Sequence, residues 1–119
     1  MAPSPPRVLF ITSSYPANAT DWRSRFILDM LEAIATQDAT PPLLYWGPAG
    51  PLPANVRNAA TAADERWLAE LAAAGGLAQL LRGSLVKGGL AGSGFLRRLR
   101  AACRRERGAF DVVHANWLQ

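Results

Sequence analysis

The sequence predicts an α/β fold, a small parallel sheet of about three strands with flanking helices. Two patterns carry that expectation. Residues 7–13 and 43–46 are short, apolar and continuous rather than alternating, which suits strands covered on both faces. Between them Phe26, Ile27, Met30, Leu31 and Ile34 recur at helical spacing. Strand, helix and strand in that order make a βαβ unit, expected to be right-handed.

The elements follow in chain order. Residues 1–6 are a flexible Pro/Ser tail, and residues 7–119 are one domain. Residues 14–20, with Pro16 and Asn18, read as a loop, and Asp21 is placed to N-cap the helix that follows. Arg23, Asp29 and Glu32 lie off the apolar stripe of that helix, which ends near Gln37 or Asp38, ahead of Pro41 and Pro42. Burial of each large apolar side chain is worth roughly 1.5–3 kcal/mol, so a docked helix is expected. Leu43–Trp46 is the second strand, stopped by Gly47 and Pro48. Residues 47–58, with Pro48, Pro51 and Pro53, read as a loop.

Residues 62–74 read as a helix with Trp67, Leu68 and Leu71 on its apolar side. Gly75 and Gly76 interrupt it, and residues 77–82 add another turn or two. Five glycines within residues 83–94 predict a flexible connector. Residues 95–107 resume as an amphipathic helix, with Phe95, Leu96, Leu99, Ala102 and Cys103 facing one way, the arginines facing out and Gly108 as C-cap. Residues 111–114 form the last strand.

Composition narrows the classes. The chain has 119 residues, half of them apolar and 18% charged, which describes a globular domain. One cysteine excludes an internal disulfide framework and a multi-Cys zinc site, one histidine excludes a His-rich metal centre, and no metal is expected. No secretory signal pattern and no membrane-length apolar run occur, so the chain reads as cytoplasmic, soluble or peripheral. The net charge of +4 is concentrated: six arginines fall between Arg97 and Arg107, opposed only by Glu106. A solvated helix face accounts for them; so does an anionic membrane surface held by Arg97, Arg98, Arg104 and Arg105, with nucleic acid the less favoured partner.

Two segments are candidate sites. The loop from Ser13 to Asp21, with Trp22, Arg23 and Arg25 at the helix start, offers backbone amides and forked donors to a phosphate or polar ligand, although an ordinary βα loop has the same composition. No glycine occurs between Arg7 and Ala39, so the dinucleotide fingerprint and the Walker loop are both absent. The second segment is His114, Ala115, Asn116 and Trp117, at the end of a strand where ligands of parallel sheets collect. His114 there is either a site residue or a satisfied structural histidine; Trp117 either stacks on a sugar or packs. Cys103 on an apolar helix face reads as core.

Residues 8–16 (VLFITSSYP), 21–29 (DWRSRFILD) and 110–118 (FDVVHANWL) resemble the N-terminal domain of family 4 glycosyltransferases, retaining enzymes of the GT-B type with two Rossmann-like domains. The resemblance covers both ends of the chain, with little contribution from residues 47–94. It implies a partial Rossmann-like sheet, an incomplete GT-B N-terminal domain, holding a carbohydrate or lipid-linked acceptor. The co-substrate, an NDP-sugar, would be bound by a C-terminal donor half absent from this chain, on another chain if it exists, and no cofactor is implied. Ser14, Asp21, Trp22, Arg25, His114 and Asn116 become acceptor-side residues, with His114 the catalytic candidate. The family often carries His-x-His after the late strand; here Asn116 stands at the second position, where it can bond a hydroxyl but not shuttle a proton. Some members dock on membranes through a basic helix of this domain, which residues 97–107 would suit. Two other classes remain open: a non-catalytic partner fragment, and a peripheral protein that binds an anionic surface.

Overall fold

The computed structural model describes residues 6–18, 20–22, 24–37 and 43–116. The tail at residues 1–5, Arg23, the helix end at Asp38 with Pro41 and Pro42, and Trp117 lie outside the described residues. The elements are β1 (Val8–Ile11), α1 (Arg25–Gln37), β2 (Leu43–Trp46), β3 (Val56–Asn58), α2 (Ala62–Ala73), α3 (Gly76–Gly83), α4 (Leu85–Arg105) and β4 (Val112–Ala115).

The sheet is all parallel, in the order β3-β2-β1-β4. The expected α/β class with a Rossmann-like parallel sheet and flanking helices is the class observed. One strand is added to the expected three: β3 lies inside the segment read as loop. It is short and half-exposed, with no periodic signature, and it exists because Leu43 pairs with Val56 and Tyr45 with Asn58.

Strand alternation builds two cores from a continuous apolar run. Val8, Phe10, Leu43 and Tyr45 pack with Ile27, Leu28, Leu31 and Ala35 of α1. Leu9, Ile11, Leu44 and Trp46 pack on the opposite face with Leu68 and Leu71 of α2 and with Phe95 and Ala102 of α4. Both β1 and β2 are therefore buried along their whole length, as their composition required.

Three expectations about the helices change. Helix α1 begins at Arg25, not directly after Asp21, whose carboxylate instead accepts from the Ala17 amide at 3.0 Å. Phe26 is exposed, because the buried arc of α1 is centred on Ile27, Leu28, Leu31 and Ala35. The supposed connector at residues 83–94 is the first half of α4, which runs unbroken from Leu85 after an N-cap in which Ser84 Oγ accepts from the Lys87 amide at 3.2 Å. Glycine costs an isolated helix about 1 kcal/mol per residue, and here packing offsets it. A methyl group at Gly88 would collide with Leu81, and one at Gly94 would sit 2.9 Å from the Trp67 ring. These glycines let α3 and α2 approach α4 closely. Leu96 joins the exposed face, while Gly108, with φ of 87°, turns the chain toward β4.

The arginines of α4 do not all face out. Arg98 and Arg105 both reach the buried carboxylate of Asp64, at 3.4 and 3.5 Å. Asp64 closes the capping box of α2 with Thr61 and accepts from the Trp46 indole at 3.2 Å. Arg98 also lies over the Trp67 ring, 5.2 Å from its centroid. Burial opposes ionisation of Asp64, but the bonds from Thr61, Trp46 and Arg98 outweigh it, and its pKa is lowered. Of the four arginines expected on an outer surface, these two tie α4 to α2 and β2.

Candidate functional site

The order β3-β2-β1-β4 fixes where a ligand can enter. From β1 the chain moves outward through β2 to β3, then returns across the sheet to place β4 on the other flank of β1. The change of direction falls between β1 and β4, and at such a switch point the loops beyond the strand ends diverge and leave a crevice. Here Ile11 is in register with Ala115, and the Asn116 amide donates to the Ile11 carbonyl at 2.9 Å. The loop after β1 and the segment after β4 therefore leave the same rim of the sheet.

Beyond that rim the β1–α1 loop lines a cavity of about 320 Å³ with Ser13, Ser14, Asp21, Ser24 and Pro48, closed on one side by Ala72 of α2. A smaller hollow of about 190 Å³ extends from Ser13 and Ser14 to Gly75 and Gly76 at the α2–α3 turn. The loop is held from within: Thr12 Oγ1 donates to the Ser14 carbonyl at 2.8 Å and accepts from the Ser14 amide at 3.1 Å. The Asp21 amide donates to the Asn18 carbonyl at 3.2 Å. Ser14 Oγ and Ser24 Oγ are in direct contact. Ser24 adopts φ of 57°, a left-handed conformation that costs a non-glycine residue about 1–2 kcal/mol. Such strain clusters where a loop presents groups to a ligand.

The expected site residues divide. Ser14 and Asp21 line the cavity. Trp22 is 81% exposed beside it. Arg25 pairs with Asp29 at 3.4 Å and lines a separate cleft of about 160 Å³ with Leu28, Glu32 and Pro51. His114 lays its ring flat on Phe10, centroids 5.2 Å apart and planes within 8°, on the sheet face that carries α1. Its ring nitrogens meet no hydrogen-bond partner among the described residues, so they stay available to a ligand. Asn116 is half-buried, its side-chain amide 3.3 Å from the Met30 sulfur of α1. His114 and Asn116 thus join the α1 side of the rim, whereas Ser13, Ser14, Asp21 and Ser24 form the mouth beside α2.

Ser24 and the Ala72–Gly76 turn were invisible in the sequence as site elements. Ser24 differs from any other helix-start serine only by its backbone conformation. The turn enters the site through tertiary packing alone, its helix-breaking glycines being the one readable sign.

Chemically, the cavity offers serine hydroxyls, which donate and accept, and one carboxylate, which accepts from hydroxyls. Among the described residues its lining holds no arginine or lysine, and no cluster of His, Cys, Asp and Glu capable of holding a metal occurs. That set suits a neutral polyhydroxyl ligand better than a phosphate. Comparison of the chain with protein-family models, with curated proteins and with solved structures finds no match.

Proposed function

We propose that this domain is the acceptor side of a retaining sugar transferase, binding a carbohydrate or a lipid-linked sugar at the β1–β4 switch point. A separate donor-binding domain would present an NDP-sugar to it. The observation that carries this reading is the hydroxyl-rich cavity of Ser13, Ser14, Asp21 and Ser24, placed on the same rim as His114 and Asn116. Each of these groups bonds hydroxyls, and the left-handed Ser24 aims one of them.

The division of labour follows from charge. Departure of a nucleoside diphosphate needs cationic groups fixed around it, and the cavity supplies none among the described residues. Asp21 and the serines would hold acceptor hydroxyls, while His114, with open ring nitrogens, would bond a hydroxyl from the α1 side. Donor binding and leaving-group stabilisation belong to the counterpart domain, so the domain by itself is expected to bind acceptor without turnover.

The test is an amide NMR titration of the protein with mono- and disaccharides at millimolar concentration. Shifts confined to Ser13, Ser14, Asp21, Ser24 and residues 114–116, lost in Asp21→Ala, are expected. Shifts elsewhere, or none with any saccharide while the protein stays folded, sink this reading.

A further inference from the structure

Helix α4 is about 31 Å long at 1.5 Å per residue, and only one of its faces is buried. Phe95 and Ala102 mark the inner face, with Gly88 and Gly94 closely packed. The outer face begins with Leu85, Val86 and Leu90, exposed to 80%, 72% and 70%, and Leu96 follows them into solvent. It continues as Arg97, Arg100 and Arg104, all exposed. Leu81 of α3 adds a further exposed aliphatic group next to the first turn of α4. Single exposed aliphatics are ordinary, but a cluster on one helical hairpin marks a docking surface.

The charge pattern selects the occupant. Between Glu70 and Glu106 the chain has no carboxylate, while Arg82, Lys87 and five arginines lie there. Arg98 and Arg105 are held by Asp64; Arg97, Arg100 and Arg104 have no acidic partner among the described residues. Arg100 and Arg104 join Arg107 and Phe110 around a concavity of about 450 Å³, large enough for a phosphate headgroup. A second copy of this chain would set cations against cations. No helix among the described residues is long and apolar enough to cross a bilayer. What remains complementary is a surface that is apolar inside and anionic outside, on which a helix lies flat.

We infer that α4 docks the domain on an anionic lipid surface, with Leu85, Val86, Leu90 and Leu96 entering the acyl boundary and Arg97, Arg100 and Arg104 meeting lipid phosphates. The inference is independent of the sugar-transfer reading. It uses residues remote from the Ser14 cavity and stands if that reading fails.

The test is co-sedimentation of the intact protein with phosphatidylcholine vesicles, with and without phosphatidylglycerol, alongside ultracentrifugation without lipid. Two variants are compared, Leu85→Gln/Val86→Gln/Leu90→Gln and Arg97→Gln/Arg100→Gln/Arg104→Gln. All six positions face solvent, so circular dichroism should be unchanged. Binding only to the anionic vesicles is expected. The arginine variant should lose roughly a hundredfold in partitioning, from about 1 kcal/mol per cation near the surface, and the apolar variant at least tenfold. No binding by the wild type overturns the proposal. So does equal binding to neutral vesicles, or full binding by the apolar variant. A concentration-dependent dimer that the apolar variant abolishes overturns it in favour of self-association.

Discussion

Arg7 and Asp111, 104 residues apart in the chain, meet fork to fork. Nε and Nη2 of the guanidinium donate to the two carboxylate oxygens at 3.2 and 2.9 Å, while the Arg7 amide donates to the same carboxylate at 3.0 Å. The remaining Nη1 donates to the Gly108 carbonyl at 2.8 Å. This pair sets the start of β4 against the start of β1.

The Arg7 side chain, and then its amide, lower the Asp111 pKa to about 2. An unfolded aspartate titrates near 3.9. The folded value is the lower one, so the stabilisation is complete above roughly pH 4 and disappears as pH falls through about 2. The pair is exposed, and its contribution is small. Asp111→Asn is expected to lower Tm by about 2–4 °C at neutral pH, with the difference closing toward pH 2. Calorimetry across that range checks it; a pH-independent difference contradicts it.

The two tyrosines govern the alkaline limit. Burial pushes the Tyr15 hydroxyl up to about 12, and raises that of Tyr45 well above its ordinary value. Tyr15 donates to the Pro51 carbonyl, and Tyr45 to that of Pro48 at 2.6 Å. An unfolded tyrosine loses its proton near 10, so the unfolded chain gains stability relative to the folded one as pH rises from about 10 to 12. Phenolate absorbance should therefore appear together with loss of circular dichroism. Phenolate forming near pH 10 in a protein that is still folded is the contrary result.

Asp64 gathers four donors from three elements, and removing its charge leaves Arg98 and Arg105 facing a gap. Breaking a buried pair costs about 3–5 kcal/mol. Because both arginines are partly open to water, Asp64→Ala is placed at the low end, about 3 kcal/mol, in urea denaturation. Arg104→Gln, which touches no such partner, should stay within about 0.5 kcal/mol.

Neighbouring glycines of α4 should respond with opposite signs. Gly89 has open space around its missing side chain, so Gly89→Ala should stabilise by about 0.5–1 kcal/mol through helix propensity. Gly88→Ala meets Leu81, backbone included, and should destabilise despite the same gain in propensity. Denaturation midpoints of the two variants decide the matter, and equal signs would mean that α3 does not pack on α4 as described.

What could be read from the sequence was whatever local pattern determines. β1, α1 and β2 announced themselves because strand composition and a 3.6-residue stripe survive without their neighbours. β3 did not, since three half-exposed residues become a strand only when β2 offers them carbonyls and amides. The first half of α4 was hidden by its glycines, which count against a helix until Leu81 and Trp67 are known to press on them. Charge patterning likewise told that residues 97–107 are basic, but not that a buried carboxylate 34 residues upstream of Arg98 claims part of that charge. At the candidate site, Ser14 and Asp21 were legible as residues of a βα loop. The left-handed Ser24 and the stacking of His114 on Phe10 depend on tertiary position, and no local pattern encodes them.

The sheet is assembled against the direction of synthesis. β1 leaves the ribosome before any other strand yet lies inside the sheet, and one of its flanks stays bare until residues 112–115 arrive. For most of translation, the nascent chain therefore exposes a ready β edge with Leu9 and Ile11 beside it. Crowded polysomes, low temperature or slow codons before β4 would lengthen that exposure, and holding chaperones would matter most during that interval.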